Sequence, residues 1–212
     1  MIKRDHLPRE LRDEVNGNRS PVAMFAAALS FFSPCTAPAA EGVPPKAQAC
    51  IVCHGPDGNS AGPAMPSLAG QPAQFISMQL FLFRQGDRKD PQMSPIAANL
   101  SNADMNELAA YFTKQRPAAP SHKTAPENAA AGPKLAQQFN CVQCHGPALL
   151  GLQHIPRLAG QQFAYLKAQL RGFKAGTRGE FDGNMSSAAR PLSEKDIEIL
   201  ADYLSGLAPL RD

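Results

Sequence analysis

The pattern Cys-x-x-Cys-His occurs twice, as Cys50-Ile51-Val52-Cys53-His54 and as Cys141-Val142-Gln143-Cys144-His145. This spacing brings two thiols and an imidazole together on one turn of chain. It is the pattern of covalent c-type haem attachment: the thiols add across the two vinyl groups of one porphyrin, and the histidine gives iron an axial nitrogen. A single copy also suits a redox or zinc site. Two copies inside a matching repeat point to two haems. Such a chain has to fold around two large apolar rings.

The repeat extends well beyond the motifs, with a shift of about 91 residues. Pro66 matches Pro156, Leu68-Ala69-Gly70-Gln71 recurs as Leu158-Ala159-Gly160-Gln161, and Phe83 and Gly86 match Phe173 and Gly176. Further on, Met93 matches Met185, and Asp104, Leu108 and Tyr111 match Asp196, Leu200 and Tyr203. Between the copies, residues 116–126 hold three prolines and no apolar periodicity, the composition of a semi-stiff linker. The organisation read from this is a targeting segment over 1–40, one domain over 41–117, a linker over 118–128 and a second domain over 129–212. Each domain is small, so its polypeptide core is limited and the haem-free halves are expected to fold poorly.

Both halves read as helical. One helix is expected to start at Pro72 with Ile76, Leu80 and Phe83 on one face and to stop at Gly86. Phe163, Leu166, Leu170 and Phe173 repeat that stripe up to Gly176. Ser101 and Ser193 each precede an i, i+3, i+4, i+7 stripe and stand three residues before an Asp, a variant of the capping box. A further helix is expected before each motif, around 44–52 and 132–143. No stretch alternates with period two.

Residues 1–40 resemble a secretory signal. Lys3, Arg4, Arg9, Arg12 and Arg19 precede an apolar run over 21–32, and small residues follow up to Ala40. The run of about 12 residues is short for a bilayer span, so cleavage near 37–41 is expected over retention as a membrane anchor. Cys35 lies in this segment, and the other four cysteines sit in the motifs. Of 21 basic and 18 acidic residues, five and four fall in 1–40, leaving 16 and 14, a formal +2. Nothing in that balance supports nucleic-acid binding.

The sixth iron ligand decides the chemistry. Met93 lies 39 residues after His54 and Met185 lies 40 after His145. A lone Met is usually core filler. Two at one repeat position, each after a polar, Gly- or Pro-containing loop, read as ligands. Met65 is the rival in the first half, but its counterpart is the apolar Ile155. Met78 and Met105 fall on helices and read as core. His154 reads as a loop histidine. Pro66 and Pro156 offer backbone carbonyls that could accept from the ligand histidine Nδ1–H and fix the ring. Tyr111 and Tyr203 read as packing residues. A thioether opposite imidazole favours ferrous iron and leaves no free coordination site, which is the pattern of a carrier and not of an enzyme.

Two tandem units, each with Cys-x-x-Cys-His, Pro-x-Leu-Ala-Gly-Gln, a distal Met and a closing helix containing Tyr111 or Tyr203, resemble the cytochrome c4 family. The resemblance covers about residues 42–210. It implies an all-α fold of two tandem class I cytochrome c domains, each of about three helices around a covalent haem. It also implies packing about a pseudo-two-fold axis with haem propionates near the interface. By position, Cys50, Cys53, Cys141 and Cys144 attach the two c-type haems, and His54/Met93 and His145/Met185 are the axial pairs. The implied function is periplasmic transfer of single electrons, from a donor such as a quinol-oxidising complex to an acceptor such as a terminal oxidase, with peripheral membrane association as a further implication. The alternative is a dihaem electron-transfer subunit of a dehydrogenase complex, for example one oxidising sulfide or an alcohol. One departure stands out: Ala148-Leu149-Leu150-Gly151 replaces the more polar Asp57-Gly58-Asn59-Ser60-Ala61-Gly62, so the two haems are expected to differ.

Overall fold

The computed structural model describes residues 42–209. The expected targeting segment, with Cys35, lies outside the described residues. The first half holds α1 (Ala47–His54), α2 (Ala73–Gln85), α3 (Met93–Ala97) and α4 (Asn102–Lys114). The second holds α5 (Pro126–Gln138), α6 (Cys141–His145), α7 (Phe163–Lys174), α8 (Asn184–Ala189) and α9 (Glu194–Gly206). Among the described residues there is one isolated bridge, Leu152 to Ile155, and no helix long and apolar enough to cross a membrane.

The helices begin and end where local chemistry dictates. Both predicted capping boxes form. Ser101 accepts from the Asp104 N–H at 3.1 Å while its own N–H donates to Asp104 at 2.8 Å, and Ser193 and Asp196 repeat both distances. Each cap satisfies donors that the first helical turn leaves free and stabilises its helix by about 1 kcal/mol. Pro72 precedes α2 as its cap residue with extended ψ, and Gly86 closes the helix in the left-handed region at φ 79°.

One local expectation needed correction. The segment over 132–143 is not one helix, because Asn140 adopts φ 57° and separates α5 from α6. Asn is among the few side chains that enter this region readily. Met93 and Met185, expected to follow loops, stand on short helices, α3 and α8.

Each half has its own apolar cluster. Ala47, Ile76, Leu80, Met105, Leu108, Ala109 and Phe112 pack together in the first. The second joins Ala136, Leu149, Leu166 and Phe173 to Ile197, Leu200, Ala201 and Leu204. There α5 and α9 cross so closely that a Cβ on Gly132 would stand 2.3 Å from the Tyr203 side chain. Tyr203 is thus a packing residue, as is Tyr111, which meets the Phe112 ring edge-on at 5.0 Å and donates to the Pro56 carbonyl at 3.3 Å.

The connection between the halves is pinned. Asn59 holds it through the Arg116 carbonyl at 3.0 Å and the Ala118 N–H at 2.8 Å. The His122 ring stacks on Phe163 at 5.1 Å and its Nε2 lies 2.5 Å from the Asp202 carboxylate. The same carboxylate accepts from the Ala125 N–H and from Asn128.

Equivalent residues of the two halves meet reciprocally, the signature of a two-fold relation. The Gln71 side chain donates to the Arg157 carbonyl at 3.0 Å and accepts from the Arg157 N–H at 2.9 Å. Its repeat partner Gln161 makes the same pair with Ser67, at 2.9 and 2.8 Å. Around the other side of this interface, Arg88 donates to Gln79 and Gln169, and Arg178 donates to Gln169 and Gln79. Each arginine also covers an aromatic ring of its own half, Arg88 over Phe83 at 4.4 Å and Arg178 over Phe173 at 4.1 Å.

Candidate haem-binding site

Cys50 and Cys53 occupy the last two turns of α1, and Cys141 and Cys144 occupy α6. A spacing of three puts each pair of thiols on one helix face, with the histidine next in line. None of the four is paired in a disulfide; Cys50 and Cys141 are half-buried, and Cys53 and Cys144 are exposed. Burial pushes the Cys50 and Cys141 thiols up from their ordinary value. Among the described residues no group of three or more His, Cys, Asp or Glu converges on one point.

Both histidines are buried, His54 at 4% and His145 at 3% exposure. Their Nδ1 atoms lie 2.8 Å from the carbonyls of Pro66 and Pro156, as expected from the prolines' positions. A carbonyl only accepts, so Nδ1 carries the proton and Nε2 keeps its lone pair. Burial lowers both histidine pKa values against the opposing pull of the proline carbonyl, which keeps the rings neutral. Each half therefore presents one oriented imidazole nitrogen able to bind iron.

A cavity of about 670 Å³ runs through both halves. His54 and Met93 line it in the first half and His145 and Met185 in the second, together with all four motif cysteines. Phe75, Ile76, Leu80, Phe83, Leu166 and Phe173 supply apolar wall. Met65 and Met78 also line it, Met78 against its expectation as a core residue, whereas Met105 is core as expected. His154 is exposed at the edge of the cavity. An apolar slot with thiols and an unprotonated imidazole nitrogen on one side and thioethers elsewhere on its wall fits a porphyrin.

Carboxylates hold the methionine segments. Asp90 accepts from the N–H groups of Gln92 and Met93 at 2.9 and 2.8 Å. Glu180 accepts from those of Met185 and Ser186 at 2.9 and 2.8 Å. Both cap the start of a short helix, where N–H groups lack partners and negative charge is favoured. The sequence reading missed these caps. An acidic residue three to five positions before each Met was the available signal. It missed the interdomain role of Gln71 and Gln161 too, although a Gln kept at one position of both copies marks it.

The cytochrome c family matches residues 45–115 and again residues 129–208, once in each half. The chain belongs to the cytochrome c family. Within it, the cytochrome c4 of Azotobacter vinelandii is 39% identical over 180 residues, which cover 76% of this chain and 86% of that one. The thiosulfate dehydrogenase electron acceptor of Thiomonas intermedia is 36% identical over 176 residues, covering 76% and 80%. Reduced cytochrome c4 from Pseudomonas stutzeri, a crystal structure, has a TM-score of 0.71 at 34% identity and covers 76% of this chain and 95% of its own. This is a dihaem cytochrome of the c4 group, with two covalently attached c-type haems and a tandem class I fold. Its chemistry is electron transfer.

Proposed function

We propose that this cytochrome passes single electrons between partners in the periplasm, toward a terminal oxidase, using two His/Met haem sites. Cys50 and Cys53 attach the first haem and Cys141 and Cys144 the second. His54 and Met93 are the first axial pair, His145 and Met185 the second. When bound, the haem iron supplies a one-electron couple whose potential a thioether ligand raises. The chain's own residues supply the rest. Pro66 and Pro156 orient the imidazoles, Asp90 and Glu180 hold the methionine segments, and the apolar walls exclude water.

The observation that carries this reading is the matched pair of sites. In each half the cavity lining offers an oriented histidine nitrogen and a methionine at the same repeat position. Met65 shares that lining in the first half, but Ile155 stands at its position in the second. Two ligands from the chain on each iron would leave no position for oxygen or peroxide, and the same ligands would serve both oxidation states.

Met185→Ala tests the assignment. It is expected to lower one of the two reduction potentials and to let that haem bind carbon monoxide, while the other haem is unchanged. Met93→Ala should do the same to the other. If Met185→Ala leaves spectrum and potentials as they were, Met185 is not a ligand.

A second reading concerns the donor. The likeness to thiosulfate dehydrogenase electron acceptors favours a role as the acceptor of a sulfur-oxidising dehydrogenase. Rapid mixing with a candidate dehydrogenase and with a quinol-oxidising complex separates the two, because the physiological donor reduces the cytochrome many-fold faster.

A further inference from the structure

Arg157 is the most deeply buried charged side chain described, at 2% exposure. Its guanidinium donates to the Ala159 carbonyl and, across the interface, to the Ala69 carbonyl at 2.9 Å. Its Nε–H is buried without an acceptor, and among the described residues no other buried side-chain nitrogen or oxygen is in that position. Among the described residues no carboxylate pairs with it. Burial alone lowers its pKa to about 10, so it remains a cation at neutral pH. A buried cation facing only neutral groups is strongly destabilising unless an anion completes the site.

We propose that Arg157 holds a propionate of the second haem, and that this pairing sets the second haem's potential apart from the first's. The proposal rests on the haem reading above. Arg157 directly follows Pro156, whose carbonyl orients His145, and it lines the cavity that His145 and Met185 share. Each haem carries two carboxylates, and the planar guanidinium fork is the side chain best matched to a carboxylate. The repeat counterpart is Ser67, whose hydroxyl accepts from the Ser60 N–H at 3.2 Å and carries no charge. Arg88 and Arg178 line the cavity as a pair, one from each half, so the asymmetry between the halves lies at the Arg157/Ser67 position, where only the second half carries a cation. A fixed positive charge beside a haem favours the reduced iron, which bears one positive charge less, and so raises that haem's potential.

Arg157 also lines a smaller cavity of about 330 Å³, together with Ser67, Gln162 and His122. A diffusible anion there is the competing occupant.

The test is spectroelectrochemistry of the holoprotein with Arg157→Gln, combined with resonance Raman of the propionate bending modes. The expected result is a fall in one of the two potentials, with a much smaller change in the other, and a shift of one propionate mode. Arg157→Lys covers a failure of the neutral variant to accumulate. Charge is kept and the fork is lost, so its potentials stay near the parent's while the propionate mode moves. If both potentials and all propionate modes match the parent in either variant, the pairing is wrong and the haem reading stands. If the parent's potentials track added sulfate or chloride, the guanidinium serves a diffusible anion and the proposal falls. A haem assay finding fewer than two haems in the parent would instead remove the reading beneath it.

Discussion

In the second half, α5 is thirteen residues long and crosses α9 at Gly132 and Tyr203. In the first half, Pro44 and Pro45 precede a helix of eight residues, α1, which reaches α4 through the Lys46–Asp104 ion pair and the buried Ala47. The loops after the motifs differ in the same sense. Leu149 inserts into the second core at 2% exposure, whereas the first loop is held by polar contacts of Asn59 and Ser60 with Asp57, Ser67 and the interdomain connection. One repeat unit has thus been stabilised in two ways. The second half leans on its own helix crossing and apolar loop. The first relies on polar contacts of its loop, some of them to the connection between the halves.

The largest expected effect comes from breaking the crossing. Gly132→Val places atoms where the Tyr203 side chain already stands. Overpacking of this kind costs about 1–3 kcal/mol, and a collision with the partner helix puts this case at the upper end. Hydrogen exchange should show α5 and α9 losing protection while α2 and α4 keep most of theirs. Equal loss in both halves would mean that the halves unfold as a single cooperative unit, and the contrast drawn between them would not hold.

The sequence made some of this legible and some not. Helices α2, α4, α7 and α9 were visible because each carries an apolar stripe closed by local punctuation, such as Ser101 or Gly86. The proline carbonyls facing His54 and His145 were inferred from their distance past the motif. The short helices of Met93 and Met185 were invisible because five or six residues are too few for periodicity, and their stability comes from carboxylate caps on neighbouring loops. The break at Asn140 depends on one residue entering the left-handed region, which composition does not announce. The roles of Gln71, Gln161 and Arg157 required knowing which surfaces of the two halves meet.

The next effect tests how far each half depends on the other. Gln71→Ala removes the partner of the Arg157 N–H and carbonyl, next to the Pro156–His145 contact. Gln161→Ala does the same to Ser67, next to Pro66 and His54. Leaving buried backbone groups unpaired costs about 1–3 kcal/mol for each group so exposed to desolvation. The disturbance is expected to cross the interface: Gln71→Ala should shift the proton resonances of the His145 ring, and Gln161→Ala those of His54. If the first half leans harder on its neighbour, Gln161→Ala is the more damaging of the two. A shift confined to the mutated half would show that the braces join surfaces only and leave the histidines alone.

The smallest effect isolates the one feature that distinguishes the two capping boxes. Ser101 and Ser193 cap α4 and α9 with the same distances, and Ser→Ala at either costs about 1 kcal/mol. Only Asp104 also receives a lysine, the Lys46 ammonium at 2.8 Å, and that contact is the leading cause of its pKa falling to about 2. For Asp196, hydrogen bonds from Ser193 are the leading cause of a lowered value. A carboxyl whose value is depressed on folding stabilises the protein above its unfolded pKa, and that contribution disappears as pH falls through the folded value. The α4 cap should therefore persist to about pH 2 and then be lost. Lys46→Ala should move Asp104 upward without reaching the ordinary value, since the Ser101 contacts remain, and should leave Asp196 where it was. Carbon-13 titration of the two carboxyls measures both. Added salt should reproduce part of the change in the parent, because an exposed ion pair is screened. If Asp104 stays near 2 without Lys46, the serine box alone sets its acidity, and the lysine does not distinguish the first half from the second.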